Sequence, residues 1–374
     1  MEEMSESARM AMETAAQGAG EREAQADAGF LWDFWYPAMR SDRIRGERLA
    51  TAMLLEVPLV LGRTSEGKAF AMRDSCPHRG IPLSYGHFDG KNVQCSYHGW
   101  EFEACSGRCV LIPSLTSHDK LKVDRISAGH FPCEERDGYV WVFMNGPGTR
   151  LPQELPAVPE LVKLSGKYRI IRLQCELPCH VDHGIIGLMD PAHGPFVHAS
   201  WFWRSRKSIH EKSKQFEPIP YGFRMSPHAP SANSAPYRLL AKMTGEPVTA
   251  TIDFVLPNLR TEIDRSGKLW ASHRATVTPV RRDLCRIDFV AAWNLPLPVP
   301  IVRVFAEMFL RQDQQTMIQQ TEGLKHNPKL MLIDDADRQA KWYFALKRNL
   351  IESRRTGKPM EHPMDSPVTL HWNS

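Results

Sequence analysis

The chain has 374 residues, 42% of them apolar, enough to bury a normal core and, at about 150 residues per domain, to form two domains. Its 47 basic and 43 acidic residues leave a formal charge of +4, too modest and too scattered to mark a nucleic-acid-binding protein. No stretch approaches the roughly 18 uninterrupted apolar residues of a spanning helix, so none is expected.

Residues 1–29 carry seven acids and two bases, are rich in Ala, Glu, Gly and Gln, and lack the apolar core of a signal peptide. A disordered acidic tail is expected there. The rest of the chain, with 45 bases and 36 acids, is +9, the balance of an ordinary solvated surface or of one that docks an acidic partner. From Trp32 to Asn145, short β-like runs alternate with Gly- and Pro-marked turns: Met53–Leu61, Lys68–Met72, Val93–Ser96 and Tyr139–Met144. This pattern predicts an all-β domain over residues 30–148.

Inside that domain stand Cys76-Pro77-His78-Arg79-Gly80 and Cys95-Ser96-Tyr97-His98-Gly99-Trp100, a C-x-H pair and a C-x2-H pair, with 16 residues between His78 and Cys95. Structural zinc also takes two Cys and two His but usually pairs like ligand with like. Here each half mixes a thiolate with an imidazole. That suits a Rieske 2Fe–2S centre, with Cys76 and Cys95 on one iron and His78 and His98 on the other. Both pairs are expected on hairpin tips, with Gly80 and Gly99 letting backbone N–H groups approach the sulfurs. The other six cysteines form no dense framework and read as free thiols in a reducing, cytoplasmic setting. A further metal site at Cys105 and Cys109 is the minor alternative.

A Pro-rich connector (Pro147, Pro152, Pro156, Pro159) leads into a second part that mixes strands with helices. Strand-like runs are Tyr168–Leu173, Val248–Leu256, Trp270–Pro279 and Cys285–Trp293, with helices expected at 180–190, 300–324 and 335–354. The expected class is α+β: an all-β domain, then a mixed antiparallel-sheet-plus-helix domain at 149–356, then a C-terminal tail at 357–374. The segment HVDHGIIGLMDPAHGPFVH carries Asp190, His193 and His198. The two His are five apart, so a continuous helix would separate them; Gly194-Pro195 breaks the helix and allows His198 to swing back. Two imidazoles and a carboxylate make a non-haem Fe(II) facial triad. Phe305, Phe309, Asp313 and Met317 recur every four residues, so Asp313 lies on an apolar stripe, where a carboxylate needs a partner. Asp334, Asp335 and Asp337 compete for that role but read as a helix cap.

These motifs resemble the Rieske non-haem iron oxygenases of the alpha-subunit type, from about Trp32 to Arg354. The resemblance rests on CPHRG, CSYHGW, DPAHGPFVH and the RQDQQTMIQQ helix. It implies a 2Fe–2S cluster on Cys76, His78, Cys95 and His98, and mononuclear Fe(II) on His193, His198 and Asp313. Asp190 matches the carboxylate that links an iron-ligating His to a cluster His, here His98, of a neighbouring subunit. Ile186 and Gly187 stand where many members carry an Asn, and the roles of Asp182 and His183 are open. The size implies a homotrimer that hydroxylates or demethylates a small molecule with O2 and NAD(P)H-derived electrons, delivered by a separate reductase or by reductase plus ferredoxin. A largely hydrophobic, aromatic or polycyclic substrate is expected, with Trp201-Phe202-Trp203 as a pocket wall or packing cluster. A desaturase or oxidative cyclase on the same metals is the alternative, and a bare electron carrier the remote one.

Overall fold

Tyr139–Met144 reads YVWVFM, and all six side chains are buried. An unbroken apolar run of strand length is a central strand covered on both faces. In the computed structural model, which describes residues 29–164, 166–199, 206–229 and 235–374, this is β11, flanked by β1 (Phe34–Arg40) and β10 (Cys133–Arg136) in a three-stranded sheet. A four-stranded sheet joins β2 (Ala50–Leu54), β3 (Val57–Arg63), β4 (Ala69–Arg73) and β9 (His130–Phe131). Another joins β5 (His87–Phe88), β6 (Asn92–Gln94), β7 (Glu101–Glu103) and β8 (Cys109–Leu111).

The expected strand Met53–Leu61 is in fact a hairpin. Leu55 and Glu56 form its two-residue turn with φ of 51° and 65°, a conformation that ordinarily selects Gly or Asn. Their amides donate to the carbonyls of Pro279 and Val280, each at 3.0 Å. Those bonds from the second domain hold a turn that local sequence does not announce.

The second domain is one eight-stranded antiparallel sheet. Its order is β12 (Arg169–Leu177), β18 (Leu284–Trp293), β17 (Leu269–Arg281), β16 (Leu259–Ser266), β15 (Thr249–Val255), β14 (Gly222–His228), β13 (Glu211–Ile219) and β19 (Val368–Asn373). The end of the chain is therefore not a tail: Val368 to Asn373 pair with Phe216 to Glu211 as the edge strand, and Leu370 and Trp372 are buried. Alternation of two inward apolar residues with exposed polar ones gives the strand its packed face.

Among the described residues five helices pack on this frame: α1 (Val181–Met189), α2 (Gly194–Val197), α3 (Ala235–Thr244), α4 (Val299–Leu324) and α5 (Arg338–Thr356). Helix α4 lies along β12, fixed by Gln314 Nε2 on the Glu176 carbonyl and Thr321 Oγ1 on the Pro178 carbonyl, both at 2.7 Å. Asp182 ties α1 to α5, accepting from Tyr343 Oη at 2.5 Å and Lys347 Nζ at 2.8 Å. Among the described residues no helix is long and apolar enough to cross a membrane, and none of the eight cysteines is in a disulfide.

Candidate metal centres

The two Cys/His loops share one backbone hydrogen-bond pattern. The Cys76 amide donates to Ile81 O at 2.8 Å and the Gly80 amide to Cys76 O at 2.9 Å. In the second loop the Cys95 amide donates to Trp100 O at 2.8 Å and the Gly99 amide to Cys95 O at 3.1 Å. Each loop closes on a glycine with positive φ, 75° at Gly80 and 68° at Gly99, where a side chain would be strained. Only the second loop is a hairpin tip, between β6 and β7; the first connects β4 to β5 across two sheets, so both ends of the site are fixed by different layers. The amides that reach the Cys76 sulfur are those of His78 and Arg79, while the glycine amides serve the loop carbonyls.

Cys76 and Cys95 are buried, whereas His78 and His98 are exposed. The imidazole centroids are 4.5 Å apart, and His78 stacks on Trp100 at 4.7 Å. Burial, with the neighbouring Cys95 sulfur, pushes the Cys76 thiol up to about 11. Two buried sulfurs held side by side become thiolates when a cation compensates them. The four donors fit a 2Fe–2S cluster, which the buried Cys76 and Cys95 and the exposed His78 and His98 would hold.

The second centre is assembled from α1, α2 and α4. Asp190 caps α1 and its Oδ1 accepts from the Ala192 amide at 2.7 Å. The single turn of α2, with Pro195 near its start, returns His198 to His193. Their Nε2 atoms are 3.0 Å apart, and Asp313 Oδ1 lies 3.1 Å from His198 Nε2 and 3.9 Å from His193 Nε2. Ligands at right angles around bonds of about 2.1 Å stand about 3 Å apart, so this group could hold a metal ion. The tautomers say the same. His193 Nδ1 sits 2.7 Å from the Asp190 carbonyl oxygen, and His198 Nδ1 sits 3.0 Å from Gln312 Oε1. Both oxygens only accept, so both Nδ1 atoms carry the hydrogen. Two Nε2 lone pairs and a carboxylate then converge, an arrangement that calls for a cation at its centre.

Other expected residues have other places. Asp337 Oδ2 caps the Ile333 amide at 2.8 Å, and Asp335 Oδ2 accepts the His371 amide at 3.0 Å. Cys105 is exposed and Cys109 buried, the latter with its thiol on Leu111 O at 3.6 Å. Trp201-Phe202-Trp203 lies outside the described residues. Sequence reasoning did not find Gln312, although it adjoins Asp313, nor the polar wall described below.

Two cavities meet at His193. One of about 280 Å³ touches His183, Asp190 and Asp313. The other, of about 230 Å³, runs from His193 and His198 to the inner face of the sheet, where His228, Arg260 and Glu262 line it.

Fold and loops together define a Rieske-domain protein: residues 34–126 match the Rieske [2Fe-2S] domain. Its homologues are Rieske oxygenases. Chlorophyllide a oxygenase of Chlamydomonas reinhardtii is 36% identical over 176 residues, which are 46% of this chain and 25% of that protein. The 3-chlorobenzoate-3,4-dioxygenase oxygenase subunit of Comamonas testosteroni is 32% identical over 172 residues, 46% of this chain and 38% of the relative. The matched region thus spans well under half of either relative. The structure of a Pseudomonas putida CBB5 NdmA variant with theobromine superposes with a TM-score of 0.69 at 19% identity, over 90% of this chain and 96% of that one, which extends the shared fold through the second domain.

Proposed function

We propose that this chain is the oxygenase component of a Rieske-type system, taking O2 and electrons from NAD(P)H through a separate reductase or ferredoxin to hydroxylate or demethylate a small organic molecule. One observation carries it: a Rieske domain is joined to a second site whose two Nε2 lone pairs and one carboxylate converge within 3.9 Å. A bare electron carrier would have no use for that site. When bound there, Fe(II) supplies the activation of O2.

The protein's own groups do the rest. The Asp190 carbonyl and Gln312 Oε1 hold the two imidazoles in one tautomer and orientation, which keeps them neutral ligands. Burial adds to this at His193, keeping its pKa below the ordinary imidazole range. The Asp190 carboxylate is about a third exposed, and the residue borders both cavities. In the reading proposed here it accepts a hydrogen bond from His98 of a second copy in a three-chain ring in a cytoplasmic setting. The second cavity takes the substrate, between the His193–His198 turn and the inner face of the sheet.

The test is an iron count with a turnover assay. Wild-type protein should hold about three irons per chain, and His193→Ala about two with the Rieske EPR signal intact. A substrate screen with a surrogate reductase, following NADH and product mass together, should give O2-dependent product for wild type only. Two irons per chain in fully reconstituted wild type would rule the reading out.

A further inference from the structure

The wall that the sheet gives to the second cavity is charged. Arg260, Glu262 and Asp264 follow one another on the inward face of β16, and His273 pairs across with Glu262 on β17. Arg260 Nη2 donates to Glu262 Oε2 at 2.7 Å, and Arg260 Nη1 to His273 Nε2 at 2.9 Å. Arg260 and Glu262 are 18% and 12% exposed, and both line the cavity that reaches His193 and His198. Beside them Asp264 is 8% exposed, and its Oδ1 has no hydrogen-bond partner among the described residues.

A desolvated ion pair is weak as a stabilising device, because burying both ions costs about as much as their attraction returns. In a ligand cavity the same pair has unused capacity. Arg260 carries five N–H donors, of which its two protein bonds occupy two. Glu262 has a second oxygen. Lys212 and Lys214 also border the cavity, donating to Ser374 Oγ and the Ala229 carbonyl; the Arg260 charge is already offset at 2.7 Å, so the pair itself is not an anion hole: a ligand carboxylate on Arg260 would also face the Glu262 carboxylate. What matches is a neutral edge with an acceptor beside a donor.

We infer that Arg260 and Glu262 read the polar end of the substrate, an amide- or lactam-type edge whose C=O accepts from Arg260 and whose N–H donates to Glu262. The carbon to be oxidised then points at the triad. The inference rests on His193, His198 and Asp313 being the reaction centre, and it narrows the expected hydrophobic substrate to one with an apolar end and a polar end. Groups of this kind discriminate strongly, because a ligand lacking the edge leaves both buried partners unpaired.

The experiment is equilibrium binding, by calorimetry, to iron-loaded protein without O2 or reductant. Its outcome is therefore independent of turnover, and failure of the oxygenase reading would show in the iron count instead. The probes are quinolin-2-one, 2-naphthoate and naphthalene, alike in size and different at the edge. Wild type should bind quinolin-2-one about tenfold or more tighter than naphthalene. Arg260→Met and Glu262→Gln should each bring the two within a factor of about three. Should either single variant fail to fold, the Arg260→Met/Glu262→Met double variant removes both charges together and should show no preference for quinolin-2-one. Equal binding of quinolin-2-one and naphthalene to wild type, tightest binding of 2-naphthoate, no binding of any probe, or a preference that survives in the variants would overturn the inference.

Discussion

His193 Nδ1 is 2.7 Å from the carbonyl oxygen of Asp190 but 3.7 Å from its carboxylate. The histidine is oriented by the backbone, and the side chain is left for another task. Asp190→Asn should therefore retain iron at the wild-type level while substrate oxidation falls by about tenfold or more. Iron analysis beside turnover with an excess of reductase checks this. Loss of the metal in Asp190→Asn would show that the carboxylate, not the carbonyl, sets the ligand.

Gln312 has the opposite signature. Its Oε1, a side-chain oxygen where His193 has a backbone carbonyl, accepts from His198 Nδ1 at 3.0 Å. Gln312→Leu should weaken metal binding at the triad by about 10- to 100-fold, with the Rieske EPR signal unchanged. A chelator titration reads the affinity directly. Unchanged affinity would mean that packing against Phe309, 4.7 Å from the His198 ring, fixes the imidazole unaided.

Much of this site was legible in the sequence because its rules are local. The cluster ligands sit in two five-residue loops, each ending in a glycine that the turn demands, and His193 and His198 are joined by one Gly-Pro turn. Asp313 stood out as a carboxylate on an apolar helical period. The β10–β11 turn, Asp137-Gly138, is the favoured pair for a two-residue hairpin. In the second domain the strands that escaped notice are β13, β14, β16 and β19. In β16, LRTEIDRS, hydrophobic alternation is replaced by Arg260, Glu262 and Asp264 on the inward face. A strand that lines a polar cavity does not look like a strand, so the sequence signal fails where the substrate is read. The Leu55–Glu56 turn was hidden for another reason: its hydrogen-bond partners lie more than two hundred residues away.

Asp137 also joins the two domains. Its carboxylate accepts from Arg274 Nη1 at 2.9 Å and the Leu161 amide at 2.6 Å, and it pairs with Lys163 at 2.6 Å. Arg274 lies over the Trp141 ring at 4.8 Å and is 2% exposed. Removing one partner strands a buried charge, so Asp137→Ala should destabilise the protein by about 3–5 kcal/mol. Asp137→Ala/Arg274→Met, which removes both, should recover a large part of the loss. Calorimetric melting of the two variants beside wild type decides it, and additive losses would sink the idea of a coupled pair.

His273 gives the fold a pH dependence of defined sign. Burial holds its pKa at about 4, and the proximity of Glu262 only partly opposes that. The donor Arg260 at 2.9 Å needs an unprotonated Nε2, so the folded protein keeps the ring neutral. An unfolded histidine takes its proton near 6.5. Between about pH 6.5 and 4 the unfolded state binds a proton that the native state refuses, and stability falls as pH falls, by up to about 1.4 kcal/mol per unit from this group. Above that window the effect is absent. His273→Gln keeps an acceptor for Arg260 and cannot titrate. Its melting temperature, followed from pH 7.5 to 4.5, should drop less steeply than that of wild type, whatever its value at pH 7.5. Parallel curves would show that Arg260 does not depend on a neutral His273, and that the polar wall of the cavity is held together in some other way.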